Sequence, residues 1–289
     1  MPTITLNSTN IIKNGNNQLL YVFQNGGATF TNNDIALANF TIYYSWFNIS
    51  QQDYRNANFS YIWFDGLTYQ VKIPDGQYSI TEINSYFQSV MVSNGHYLID
   101  VSNGQFVYFL QFQENPTFYS IQFNAYLSFL PSTIPLQYIY PSVLPYPWTL
   151  PIIPITPQLS LFTNVISTFN SVIGFLENAN YPPTPSLTQY SHLSDFTPEI
   201  EPVSALNLLC SFISNPYSPF KILYSTGIPS VSFGQQINIT PPNYLWNKIT
   251  DGLFQNFVIQ ITDQNGLPIT IKDPQINIVL NIRDRGNNQ

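Results

Sequence analysis

Between Phe254 and Arg283 apolar side chains recur at every second position. Phe257, Ile259 and Ile261 alternate with Val258, Gln260 and Thr262, and Ile276, Ile278, Leu280 and Ile282 alternate with Asn277, Val279, Asn281 and Arg283. A period of two sends neighbouring side chains to opposite faces, so each run is a strand with one face buried. Asp263-Gln264-Asn265-Gly266 supplies a tight turn, because Asn and Gly take positive φ cheaply, and Asp273-Pro274 supplies a break. The expectation is a final hairpin that closes the domain. Such strands need a sheet beside them and a second layer over the apolar face.

The chain upstream repeats this grammar. Leu19 to Phe23 and Ile35 to Phe47 are dense in β-formers and are separated by Asn25-Gly26-Gly27. Phe59 to Trp63 and Leu67 to Ile73 flank Asp65-Gly66, a hairpin signal. Strands are expected again at Tyr97 to Val101, Phe106 to Phe112 and Phe118 to Leu130, and later at Val203 to Ile213, Ile222 to Tyr224, Gln236 to Ile239 and Tyr244 to Ile249. One helix interrupts them. Ser79 and Glu82 form a capping box, Ile80, Ile83, Phe87, Val90 and Met91 follow at helical spacing, and Asn94-Gly95 ends the run. A weak helix or turn is expected within Leu161 to Leu176. Residues 1–17 lack periodicity and read as an N-terminal arm, ordered only by a neighbour.

From Pro131 to Pro157 a proline recurs every few residues among Tyr, Leu and Ile. Proline at that density excludes helix and central strand. The stretch is too apolar for an ordinary linker and is expected to be covered. The resulting fold class is all-β: an antiparallel β-sandwich, a single jelly roll with one short amphipathic helix and a Pro-rich insertion. The jelly-roll domain is expected over 18–130 and 161–289, with 131–160 inserted in it.

Composition narrows the function. Only 8% of residues are charged, and 15 acidic against 8 basic residues give a net charge of −7. The cations are scattered, so nucleic acid is not expected as a main ligand. A charge-poor surface resists self-association weakly, which suits a protein packed against copies or neighbours. Cys210 is the only cysteine, so no intrachain disulfide forms, and its apolar neighbours mark a buried thiol. Met1-Pro2-Thr3-Ile4 lacks the charged and apolar regions of a signal peptide, and no apolar run is long enough for a transmembrane segment.

Few side chains are spaced for chemistry. Of the two histidines, His96 has no partner at ligand spacing, and His192 with Asp195 is a weak metal-ligand pair. Glu199 and Glu201 are paired carboxylates between Pro198 and Pro202, and a solvated loop is the expected reading. No phosphate loop or nucleophile elbow is present. Asn7, Asn39, Asn48, Asn58 and Asn238 begin N-x-S/T triplets of the kind that arise by chance in an Asn-rich and Thr-rich chain. Trp46, Trp63, Trp148 and Trp246 are candidates for a sugar platform, with core packing as the commoner role. No catalytic, cofactor or metal residue is assigned, and an enzyme is not expected.

Four segments in order carry a resemblance. They are Pro74 to Phe87, the run from Ile173-Gly174-Phe175 to Tyr181-Pro182, Pro198 to Asn215 with Cys210, and Asp273-Pro274 to Arg283. Together they resemble capsid proteins of virophages and Polinton-like viruses, over roughly 18–283. The resemblance implies a minor capsid protein, the penton, on one jelly roll. Five copies would form the vertex of an icosahedral virion assembled inside the host cell, with the major capsid protein as the other partner. The Pro-rich stretch is not part of that pattern. The alternative is a carbohydrate- or receptor-binding β-sandwich, a lectin-like module.

Overall fold

A computed structural model describes residues 1–13, 15–130, 134–141, 149–162, 167–216 and 220–287. Its described strands pair antiparallel throughout, so the all-β expectation holds. The chain divides into two compact units, Met1–Phe47 with Val203–Gln289, and Asn48–Pro202. The contacts therefore divide at Asn48 and Val203.

The first unit is built from two larger sheets around one core, with a small two-stranded sheet of Ala28–Phe30 and Gly252–Phe254 beside them. One sheet runs in the order Thr3–Asn7, Asn277–Asp284, Asn33–Tyr43 and Gln236–Ile239, with Asn247–Lys248 also paired to Asn33–Tyr43. The other runs Ile222–Gly227, Ala205–Cys210, Asn256–Thr262 and Gln18–Val22. Ile259 and Ile261 from the second sheet and Ile278, Leu280 and Ile282 from the first enter the same cluster. Burying each such side chain stabilises by about 1.5–3 kcal/mol, which is why the alternating rows had to face inward.

The final hairpin does not form. Asn256–Thr262 pairs with Ala205–Cys210 and Gln18–Val22, whereas Asn277–Asp284 pairs with Asn33–Tyr43 and Thr3–Asn7. The turn itself is as expected: Gly266 has φ +80°, and Asp263 Oδ1 accepts from Asn265 N and Leu267 N at 2.8 Å each. Beyond it, Ile269 and Ile271 are buried and draw the chain into the core, from one sheet to the other. The expected arm is also corrected. Thr3–Asn7 is a strand on Asn277–Asp284, with Ile4 and Leu6 buried, and a capping box on Asn7 turns the chain at Ser8–Asn10. Two buried side chains at period two set which face of this strand turns inward.

The second unit has its own core. Asn58–Ile62 and Thr68–Lys72 form the hairpin expected around Gly66, whose φ is +77°. The helix Ile80–Ser93 begins at the predicted capping box, with Glu82 N donating to Ser79 Oγ at 3.3 Å and Ser79 N donating to Glu82 Oε2 at 2.7 Å. Its buried face includes Ile80, Ile83, Phe87 and Met91. It lies on Leu110–Asn115, where Asn84 Oδ1 accepts from Phe112 N at 2.9 Å. That strand continues the sheet Tyr190–Leu193, Ser120–Ala125, Leu110–Asn115.

The Pro-rich stretch departs from expectation in part. Gln158–Ser160 is a central strand between Asn58–Ile62 and Asn180–Tyr181. The prolines stop at Pro157, so every residue of this strand keeps its amide donor. Gln158 is buried and donates to Pro182 O at 2.7 Å. Tyr138–Ile139 pairs with Leu98–Asp100. Pro131, Pro145, Pro147 and Trp148 lie outside the described residues. The short helix within the Leu161 to Leu176 expectation is Phe169–Ile173, capped by Gly174 at φ +76°.

Candidate functional site

The three described candidates, Trp46, Trp63 and Trp246, do not make a platform, and Trp148 lies outside the described residues. Trp46 and Trp63 are buried core residues, and Trp246 is half-buried beneath the Arg283 guanidinium, 4.3 Å from ring centroid to Cζ. His96 is also structural. Its Nδ1 lies 2.8 Å from the Tyr61 hydroxyl, and its ring stacks on Trp63 at 4.4 Å and meets the edge of Tyr69 at 4.4 Å. Burial lowers its pKa to about 4, against a small opposing effect of Asp65.

His192 and Asp195 do meet, Nε2 to Oδ1 at 3.0 Å. The partners around them are not metal ligands. Asp195 Oδ2 accepts from the Tyr181 hydroxyl and from Leu176 N at 3.1 Å. Burial raises the Asp195 carboxyl, but the hydrogen bonds from Tyr181, His192 and Leu176 outweigh it and hold the group below the usual carboxylate range. The cluster ties the loop after Tyr190–Leu193 to the end of the Phe169–Ile173 helix. Phe196 N completes the tie by donating to Gly174 O at 3.0 Å. Among the described residues no three His, Cys, Asp or Glu side chains converge as a metal site. Cys210 is fully buried, and desolvation pushes its thiol up to about 12, so it is not a nucleophile.

Glu199 and Glu201 line a cavity of about 470 Å³, together with Glu114, Asn115, Pro116, Tyr119, Ser120, Ile121, Pro198 and Ile200. Glu201 accepts from Gln77 Nε2 at 2.6 Å. The sequence placed Glu199 and Glu201 correctly in a loop, and nothing local to them revealed that the 114–121 turn lies opposite. Of the N-x-S/T asparagines, Asn48 is buried and Asn39 donates to Asn238 Oδ1 at 2.8 Å, so these side chains are in structural use.

A second cavity of about 480 Å³ lies in the same unit, lined by Gln88, Val107, Tyr108, Phe109, Gln111, Tyr126, Leu127, Phe129 and Gln189. Gln88 comes from the helix, Gln111 from Leu110–Asn115, and Gln189 directly precedes Tyr190–Leu193. The sequence singled out none of these. Amides and tyrosines spread over 100 residues of chain carry no spacing signal.

In the Pro-rich stretch Leu136, Ile152 and Ile153 are 98, 88 and 63% exposed. The cover expected for them is not supplied by the described residues. No helix among the described residues is long and apolar enough to cross a membrane.

Among solved structures, the chain is similar to the penton protein of mavirus, with a TM-score of 0.42, 13% identity and 98% of each chain covered. It is also similar to a chain in the cryo-EM structure of the Sputnik virophage, with a TM-score of 0.36, 12% identity and 100% of each chain covered. No family profile matches the chain, and no curated protein matches it.

Proposed function

We propose that this chain is a penton-type minor capsid protein, with no catalytic role, that assembles with copies of itself and with a major capsid protein in an icosahedral virion. The reading rests on the four family-like segments, each of which folds as a distinct structural element. Pro74 to Phe87 gives the capped start of the helix, and Ile173 to Pro182 gives the Gly174 cap and the Asn180–Tyr181 strand. Pro198 to Asn215 gives the central strand Ala205–Cys210, and Asp273 to Arg283 gives the strand that pairs with the N-terminus. In this reading the first unit is the jelly roll. Copies around a five-fold axis meet through two different faces, a heterologous contact that closes into a ring. Leu136, Ile152 and Ile153 are then residues that neighbours cover. Sites of assembly are the host cell interior and the capsid vertex.

The test is electron microscopy of the purified full chain and of virions carrying it. Rings of five copies, or density for this chain at vertices, is the expected result. A chain that stays monomeric at high concentration and is missing from virions would overturn the reading.

A further inference from the structure

We infer that the cleft between the helix Ile80–Ser93 and the segment Tyr126–Phe129 is a binding site for a neutral saccharide, a role beyond capsid assembly. Every one of its nine lining residues is uncharged. That disfavours phosphate, carboxylate and amine ligands, which need a countercharge once desolvated. What the cleft offers is three carboxamides, Gln88, Gln111 and Gln189, and two phenols, Tyr108 and Tyr126. A carboxamide carries a donor pair and an acceptor side by side, which matches vicinal hydroxyl groups.

The polar groups are held in place. The Tyr126 hydroxyl donates to Gln111 Oε1 at 3.0 Å, which orients that amide and leaves its Nε2 donors outside that bond. Tyr126 N donates to Phe109 O at 2.8 Å, so the two walls are tied together. The apolar side is rigid as well. Phe109 is buried against Trp63 and Phe64 at centroid distances of 5.9 and 5.2 Å, and Phe129 stacks on Tyr138 at 5.1 Å. Pre-set donors over an aromatic wall suit a sugar ring, whose C–H face is apolar and whose rim is polar. The acid-lined cavity at Glu199 has the opposite character and is not part of this site.

The experiment is saturation-transfer NMR on the intact chain with galactose, glucose, mannose, N-acetylglucosamine and fucose, and with sialic acid as the charged control. Transfer to at least one neutral sugar at about millimolar concentration is expected, with none to sialic acid. Gln111→Leu is expected to weaken binding about tenfold, because a sugar hydroxyl loses its partner. Gln189→Ala, at the exposed rim, is expected to weaken it less and leaves the core untouched, so it reports even where Gln111→Leu misfolds. No transfer to any neutral sugar, transfer to sialic acid alone, or transfer unchanged in both variants would overturn the assignment. None of these outcomes bears on ring formation, so the two readings fail separately.

Discussion

Asp34 is the best single place to test the physical account of the first unit. Its carboxylate is only 1% exposed, yet two of the chain's eight cations converge on it. Arg283 faces it in register across the sheet and reaches Oδ2 from Nε and Nη2, both at 3.1 Å. Arg285 Nε lies 2.6 Å from Oδ1, a charge contact without hydrogen-bond alignment. Asp34→Asn keeps the shape and removes the charge. Breaking a wholly buried pair costs about 3–5 kcal/mol, because a charge is left stranded. Here the stranded charges are guanidiniums that are 30 and 42% exposed, so they rehydrate. Discounting for that solvation leaves about 2 kcal/mol.

For a unit of this size that loss lowers the melting temperature by about 6 °C. Scanning calorimetry of the full chain reads it directly. A cycle with Arg283→Met is expected to show coupling of about 1 kcal/mol between the two positions. High salt is expected to shrink the gap only partly, because the carboxylate is shielded from solvent ions. A variant that melts within about 1 °C of the parent, or purely additive effects in the cycle, would refute the claim that this ion cluster holds the last strand to the sheet.

Other expectations concern single positions. Gly174→Ala places a Cβ 2.3 Å from Phe196 O at φ +76°, so it is expected to cost about 3 kcal/mol or more, and near-parental stability in a denaturant titration would contradict the close approach. Ser79→Ala removes the cap of the Ile80–Ser93 helix and is expected to cost about 1 kcal/mol by chemical denaturation, with Ser79→Asp restoring most of it. His96 is held neutral in the fold, with a pKa of about 4 against 6.5 in the unfolded chain. The unfolded state therefore binds more protons between those values, and stability is expected to fall by about 2–3 kcal/mol as pH drops from 6.5 to 4. His96→Gln is expected to flatten that part of the curve, and an equally steep curve in the variant would place the titration elsewhere. Cys210 is expected to react with a thiol reagent only on unfolding, so rapid labelling of the native protein would show that the strand opens locally.

What the sequence disclosed and what it hid divide along one physical line. Period-two rows, the Ser79 capping box and the Asp65-Gly66 and Asn265-Gly266 turns are signals between near neighbours, and each appears where it was read. Pairing partners are different. The Ile259 row and the Ile278 row state which face is buried but not which strand lies alongside, because hydrophobic burial has no direction. Two such rows joined by a short segment mimic a hairpin. They joined separate sheets because Ile269 and Ile271 are themselves buried in the link. The same blindness concealed Thr3–Asn7, where only Ile4 and Leu6 carry the pattern, and Gln158–Ser160, a central strand whose Gln158 and Ser160 are polar. Polar residues are admitted there because Gln158 reaches Pro182 O and Ser160 O accepts from Ser60 Oγ, partners far away in sequence. Both cavities follow the same logic. Glu199 with Glu114, and Gln88 with Gln111 and Gln189, become neighbours only through tertiary packing, so a site made of them is legible in the folded chain and silent in the linear one.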